Sequence, residues 1–584
     1  MIIRMKNYFL LFIILVGGLL LLSINDNVSA YPSWISNIKR QAPAAAAAPT
    51  TATPAPPLDA KVGGTWEIQK TQTGVNAMHM FVASVNRLVY VDKLENNPLL
   101  MPSGQSALSA TYNLDTDTLS PLVVTSDTFC SAGSWLGNGT LVHTGGDNGN
   151  AQFSPGQQTL RFYDPAVGNW VEKVGIMPSK RWYPTMLPLV NGKVLILGGS
   201  TGGVGLNTAA LNNPTYNMWP PSNGVSPDPD VTLPFLTETL PYNLYVFCHI
   251  VPNANNQNLI FMLANTQPIL YDLDNAKVIT TYPKIATQRT YPQTGTSLML
   301  PLYPETNYKA EIMVCGGQDN FEPTSTASAT CGRMDLTVTT PAWVMDDFGG
   351  IPRCMPDSVI LPNGQVLFLN GAQTGYAGFR KGNKANPLWV NSNPAFTPVL
   401  YDVNVKTYTK MNPSTIARMY HSVASLTADG YVFVAGSNPQ ASVQTGILFS
   451  TEYRAEKFTP PYLLTGVPRP TIVSINGNTV GDTRTPVGYN QQLIFVVSLP
   501  QGTTNPSFTS ALIHLGFVTH SQNMGQRYVG LTISQAEFDS QNANQYILTL
   551  TTPPNPTIIA PGPHYIYILN NGSPCTRAVE VLLN

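Results

Sequence analysis

From Gly63 to about Pro468 hydrophobic and polar positions alternate over short runs, and one unit recurs: a hydrophobic strand, an Asn-Gly-like turn, a second β-branched strand and often a pair of glycines. The second strands are NRLVYVD (from 86), GTLVHTGG (139), GKVLILGG (192), QNLIFMLAN (257), AEIMVCGG (310), GQVLFLNG (364) and GYVFVAGS (430), seven copies at a spacing of roughly fifty to sixty-five residues. Asn-Gly between alternating strands predicts a hairpin. A repeat near fifty residues with a glycine pair per unit predicts a kelch-type β-propeller. Tyr-Asp turns such as YNLDTDTL (112), YDPAVGNW (163) and YDVNVKTY (401) predict the outer hairpin of each blade. The strand in GTWEIQK (64–70) is placed to complete the last blade and close the ring, which removes exposed sheet edges.

Beyond Pro468 the period is lost. RPTIVSINGNTV, QQLIFVVSLP, SALIHLGFVTH, YILTLTTPP and HYIYILNNG alternate as in a small antiparallel sandwich of immunoglobulin-like type, and no long amphipathic helix is predicted anywhere. The fold class expected is therefore all-β: a seven-bladed propeller over 62–467, then a sandwich over 468–584.

The N-terminus reads differently. Arg4 and Lys6 precede an apolar run from Tyr8 to Ile24 that ends in Val28-Ser29-Ala30, the pattern of a cleaved secretory signal over 1–30. An uncleaved anchor, holding the chain at a membrane or wall, is the alternative. Residues 31–61 are rich in Ala, Pro and Thr and read as an extended spacer. Only 11% of the chain is charged and the net charge is −1, so it lacks the basic surface that nucleic-acid binding needs.

Six cysteines are too few to frame a chain of 584 residues, but Cys315 and Cys331 flank a short polar loop and are the expected disulfide. Asn138-Gly139-Thr140 is a glycosylation sequon in a turn, whereas Asn571-Gly572-Ser573 is weakened by Pro574.

One copy of the repeat departs from the others. RWYP (181), RTYP (289) and RCMP (353) carry proline where RMYH (418) carries histidine. Cys130, Tyr183 and Met355 each lie nine residues before a turn glycine (Gly139, Gly192, Gly364), which predicts equal heights on the first strands of their blades. Tyr420 comes from the last blade with a turn expected to be one residue longer. Tyr420, His421 and Tyr183, joined by His520 in GFVTHSQNMGQR, make a tetragonal N,O donor set that suits Cu(II) better than the tetrahedral N/S sets of structural zinc. His79 is a weaker candidate on the first inner strand; His143, His249, His514 and His564 read as structural. No Gly-rich phosphate loop offers a seat for a nucleotide.

DTFCSAGSWLGNGT, RWYPTMLPLVNGKVLILGGS, NNPTYNMWPP, RTYPQTGTSLMLPL, CGRM, ARMYHSVASLTADGYVFVAGSNP and GFVTHSQNMGQR resemble, in order and over about residues 62–584, the copper radical oxidases of the glyoxal oxidase and galactose oxidase group, and are most similar to the glyoxal oxidase branch. The resemblance implies one copper ion and a thioether joining Cys130 to Tyr183, whose phenolate carries a radical. It further implies Tyr420 as axial phenolate and proton acceptor, His421 and His520 as equatorial ligands, and a position left open for substrate.

The reaction so implied is oxidation of small aldehydes, as hydrates, to carboxylic acids, with dioxygen reduced to hydrogen peroxide. A primary-alcohol or galactose-type oxidase shares every cofactor residue, and a non-enzymatic propeller binding glycan or protein is a third reading. Trp219, Arg289 and Tyr291 are the candidate substrate contacts. The chain is expected to be a secreted monomer whose peroxide serves extracellular peroxide-consuming enzymes.

Overall fold

The structure, a computed structural model, describes residues 57–203, 205–383 and 386–584. The expected signal and nearly all of the spacer lie outside the described residues. The spacer's last residues are ordered: Ala60–Gly63 forms one helical turn, and Asn412 ties it down by bonds with Leu58 and Gly64.

Seven four-stranded antiparallel units form the propeller. Their inner strands are His79–Ser84, Ala132–Trp135, Thr185–Pro188, Phe247–Ile250, Gly295–Met299, Asp357–Ile360 and Ser422–Leu426, taken as blades one to seven. Thr65–Ile68 pairs with Glu456–Thr459 as the outer strand of blade seven, so the ring is closed by its own first strand. Helices are confined to single turns among the described residues.

The arginines that open the repeat have a structural task. Arg181, Arg289, Arg353 and Arg418 are all buried, and each guanidinium donates to carbonyls at the end of its blade's second strand and on the chain beside it. A fixed planar fork suits that job: it satisfies several carbonyls where strands end and the ladder cannot. Cys315 and Cys331 face each other on the second and third strands of blade five and are disulfide-bonded.

The C-terminal sandwich has two sheets joined by one long strand, Arg527–Phe538. Its first half pairs with Phe508–His514 and its second half with Gln545–Thr551. Phe495, Val497, Leu512, Leu548, Leu550 and Ile566 fill the space between them. From this sandwich a finger of two short strands, Phe517–Thr519 and Gln522–Met524, runs into the propeller and adds to blade one by pairing with His79–Phe81. Gly133 makes room for it, since a Cβ there would overlap the Phe517 ring.

Candidate metal centre

Two residues ahead of the inner strands of blades two, three, four and six the backbone turns left-handed, with φ of 53° at Cys130, 59° at Tyr183, 49° at Tyr245 and 62° at Met355. Non-glycine residues rarely sit there, and each such residue costs about 1–2 kcal/mol. The turn aims each side chain into the top of the channel. It also links the blades: Tyr183 N–H donates to the Cys130 carbonyl (2.9 Å) and Tyr245 N–H to the Tyr183 carbonyl (3.1 Å).

In blade seven the register belongs to His421. Its φ is 64°, and Val423 pairs with Ala435, five residues past Gly430, as Thr185 pairs with Leu197, five past Gly192. The turn is not lengthened: Thr427 N–H bonds to the Tyr431 carbonyl as Leu136 N–H does to that of Thr140. The additional residue lies in the lead-in, so Tyr420 is extra and His421 takes the position held by Cys130 and Tyr183. One blade thereby presents two adjacent donors.

His520 stands at the tip of the finger. Thr519 pairs with Gln522, and His520 (φ 45°) and Ser521 (φ 68°) form the two-residue loop between them, the left-handed pair that a tight hairpin requires. The finger is held by Gln522, whose amide donates to the Tyr245 carbonyl. Thr519 Oγ1 lies 2.6 Å from His520 Nδ1, which fixes the ring and leaves Nε2 facing the cluster, 3.2 Å from Cys130 Sγ.

The structure thus brings Cys130, Tyr183, Tyr291, Tyr420, His421 and His520 together, all buried. The Tyr183 ring is stacked between Trp182 (centroids 5.5 Å, 5°) and Tyr291 (4.7 Å, 25°). Tyr420 stacks on His421 (3.8 Å), and the two imidazoles are 4.8 Å apart. Tyr291 and Tyr420 hydroxyls are 3.0 Å apart. Burial pushes the Cys130 thiol up against the opposing hydrogen bonds of Tyr183 and Tyr420, it pushes the Tyr183 and Tyr420 phenols up with the neighbouring thiol and phenols adding to the effect, and it pushes His520 down to about 3. The apo cluster is therefore a neutral set of potential ligands.

Its fit to a metal ion rests on what is left unsatisfied. Both His421 nitrogens are buried with no hydrogen-bond partner, an expensive state unless something else occupies them. Ligand atoms of Cys130, His421 and His520 all lie within 4.8 Å of one another, with two phenolic oxygens beside them. This is an N,O-rich donor set with one thiol, the kind that suits copper.

Two expected substrate contacts are elsewhere. Trp219 ends the third strand of blade three and packs on Phe162 under Lys173, in the seam with blade two. Arg289 is fully buried and spends its guanidinium on Gly316 and Thr330. Both are packing residues, because a blade seam and a strand end each need a large side chain there. Asn138 is exposed at its turn.

Four ring residues went unread in the sequence. Tyr245 packs 4.8 Å from His520, and Phe129 and Phe379 wall the far side of His421 at 6.1 and 5.4 Å; Trp182 is the fourth. Blade four has no Asn-Gly turn from which to count to Tyr245. Phe379 sits in an insertion of blade six, between the hairpin strands Ala372–Gly375 and Asn391–Pro394, outside the repeat. Trp182 and Phe129 carried a signal, each standing immediately before a cluster residue, Tyr183 and Cys130.

Two sequence profiles match the chain: the one described as Glyoxal oxidase N-terminus over residues 84–462, and the one described as Galactose oxidase-like, Early set domain over 469–581. Aldehyde oxidase GLOX of Vitis pseudoreticulata is 34% identical over 556 residues, covering 88% of this chain and 96% of that protein. Aldehyde oxidase GLOX1 of Arabidopsis thaliana is 29% identical over 548 residues, with 88% and 83% covered. Among solved structures, a fungal alcohol oxidase of the AA5 family in complex with copper has the same fold, with a TM-score of 0.66 at 18% identity over 89% of this chain and 100% of that one.

Proposed function

The chain belongs to the glyoxal oxidase family of copper radical oxidases, and from that premise we propose that it oxidises small aldehydes, as their hydrates, to carboxylic acids while dioxygen is reduced to hydrogen peroxide. The observation that carries the reading is the convergence of Cys130, Tyr183, Tyr420, His421 and His520 with both His421 nitrogens unpaired. Aldehydes are favoured over alcohols by the two plant relatives whose names specify aldehyde oxidase.

In this reading Tyr183, Tyr420, His421 and His520 hold copper, which supplies a one-electron acceptor and a Lewis acid for the substrate oxygen. The second oxidising equivalent resides on Tyr183. Its ring is joined to Cys130 by a C–S bond whose formation removes the thiol hydrogen and one ring hydrogen, two electrons that dioxygen accepts as peroxide. Sulfur donation into the ring lowers its oxidation potential, and stacking between Trp182 and Tyr291 keeps water from it. Tyr420 takes the hydroxyl proton of the substrate at its phenolic oxygen, which the Tyr291 hydroxyl orients from 3.0 Å. The Tyr183 oxygen takes the hydrogen atom from the substrate carbon. Thr519 keeps His520 in the orientation that directs Nε2 inward.

We further propose that the enzyme acts outside the cell as a monomer and supplies peroxide to peroxide-consuming enzymes there, with Asn138 glycosylated. The charged, apolar and small-residue order of residues 1–30 supports export.

Peroxide release from copper-loaded protein presented with glyoxal, methylglyoxal, primary alcohols and galactose tests the reading. Aldehydes should exceed alcohols at least tenfold. Release with alcohols or galactose alone would overturn the substrate class, and a Cys130 peptide still separate from Tyr183 after copper and oxygen would overturn the cofactor. Cys130→Ser should bind copper and lose turnover.

A further inference from the structure

Lower in the channel, where blades three and four meet the sandwich, lies a cavity of about 20 Å³ lined by Pro188, His249, Ile250, His514 and Arg527. That volume holds one group of water or halide size and excludes a carboxylate or phosphate.

Arg527 is the unusual member. It is only 7% exposed, it forms no ion pair among the described residues, and burial alone accounts for its lowered pKa, about 10, so it remains a cation at neutral pH. Its guanidinium donates to one oxygen, the Ile250 carbonyl (2.7 Å), and otherwise to the Met299 sulfur (2.7 Å). The other buried arginines have more oxygen acceptors, although the Nε of Arg181, Arg289 and Arg353 has none. Arg161, Arg181, Arg289, Arg353 and Arg418 each have at least three oxygen acceptors, and of these only Arg353 lacks an acidic neighbour. A cation buried without a counter-charge costs several kcal/mol, about 3–5 when a partner is removed.

A second donor lines the same space. His514, 2% exposed, receives the Gly516 N–H at Nδ1 (3.2 Å), so its neutral ring carries the proton on Nε2, and that atom is buried and makes no well-formed hydrogen bond, with the Gly525 carbonyl as the one backbone acceptor acting on the ring. Gln526, also on the wall, accepts from the Ile360 N–H and donates to the Ser358 carbonyl. No carboxylate lines the cavity. The titratable groups that face Arg527 and His514 are His249, which is held neutral by burial, and His564, which has Arg484 behind it.

We propose that this cavity is a binding site for a single monovalent anion of chloride size, held between the Arg527 guanidinium and His514 Nε2–H. The anion supplies the missing counter-charge and an acceptor for the free donors. Arg527 opens the strand that leaves the finger, so the ion pins the root of the element whose tip is His520.

Crystals of the full chain grown without halide and soaked in bromide should show an anomalous peak touching Arg527 and His514. In solution, the melting temperature should rise by roughly 1–2 °C per tenfold increase in chloride once the site begins to fill, relative to gluconate at equal ionic strength. Arg527→Met should abolish that dependence; should this variant fail to fold, His514→Phe, which keeps the cation, should weaken halide binding about tenfold. A cavity holding water with no bromide peak, or equal melting responses to chloride and gluconate, would overturn the proposal.

Discussion

Two sets of buried polar side chains lie two residues apart in the same repeated motif and behave in opposite ways. Arg181, Arg289, Arg353 and Arg418 engage their terminal guanidinium nitrogens with carbonyls of their own blades, and only the Nε of Arg181, Arg289 and Arg353 goes without a partner. Tyr183, Tyr291 and Tyr420, each at the second place after its arginine, turn into the channel with His421, which has no partner at either nitrogen. The first set shows how a blade is closed. The second leaves both nitrogens of one buried imidazole unpaired, which points to a partner that is not part of the chain.

The difference can be broken from either side. His520→Ala should abolish most copper binding, measured by elemental analysis, while leaving the melting temperature of the apo protein within a few degrees; unchanged copper content would remove His520 from the ligand set. Arg353→Met should do the reverse. It orphans two buried carbonyls and a half-buried one and should lower stability by about 3–5 kcal/mol in urea melts, with the folded fraction still binding copper in full. Loss of copper without loss of stability would mean that the arginines serve the site instead of the blades.

Smaller effects sharpen the picture. Tyr291→Phe removes the one hydroxyl bonded to Tyr420 and should slow turnover about tenfold with copper content unchanged, the cost of one hydrogen bond. His249 and His514 are held neutral by burial, near 3 and 4. Unfolded, they protonate near 6.5, so the unfolded chain binds more protons in acid and stability falls as pH drops below that value. In chloride-free urea melts the loss between about pH 7 and pH 5 should be roughly 1–2 kcal/mol per histidine. A gain in stability on acidification would show that these rings are protonated in the fold.

The sequence was most legible where structure is set by neighbours. Seven recurring second strands marked seven hairpins, and a nine-residue count to the turn glycine aligned Cys130 with Tyr183. The same count to Gly430 gives His421, and the structure follows it: the pairing of Val423 with Ala435 puts the extra residue in the lead-in, whereas the sequence pattern suggests a longer turn. Trp219 and Arg289 looked like rim residues because large and charged side chains in loops usually are. They are buried because Trp219 ends a strand at a blade seam and Arg289 caps one at its end.

By itself the chain determined the strands, their hairpins, the number of blades and the residues with ligand chemistry, since each depends on alternation and on turns that bond within a few residues. Only the tertiary structure decided which donors meet: Thr65–Ile68 must pair with the chain's far side to close the ring, and a finger from the sandwich must pair with His79–Phe81 to bring His520 to Cys130, 390 residues away in sequence. Such contacts have no local signature. They form because closing the ring and filling the channel bury strand edges and apolar surface that no single blade can cover alone.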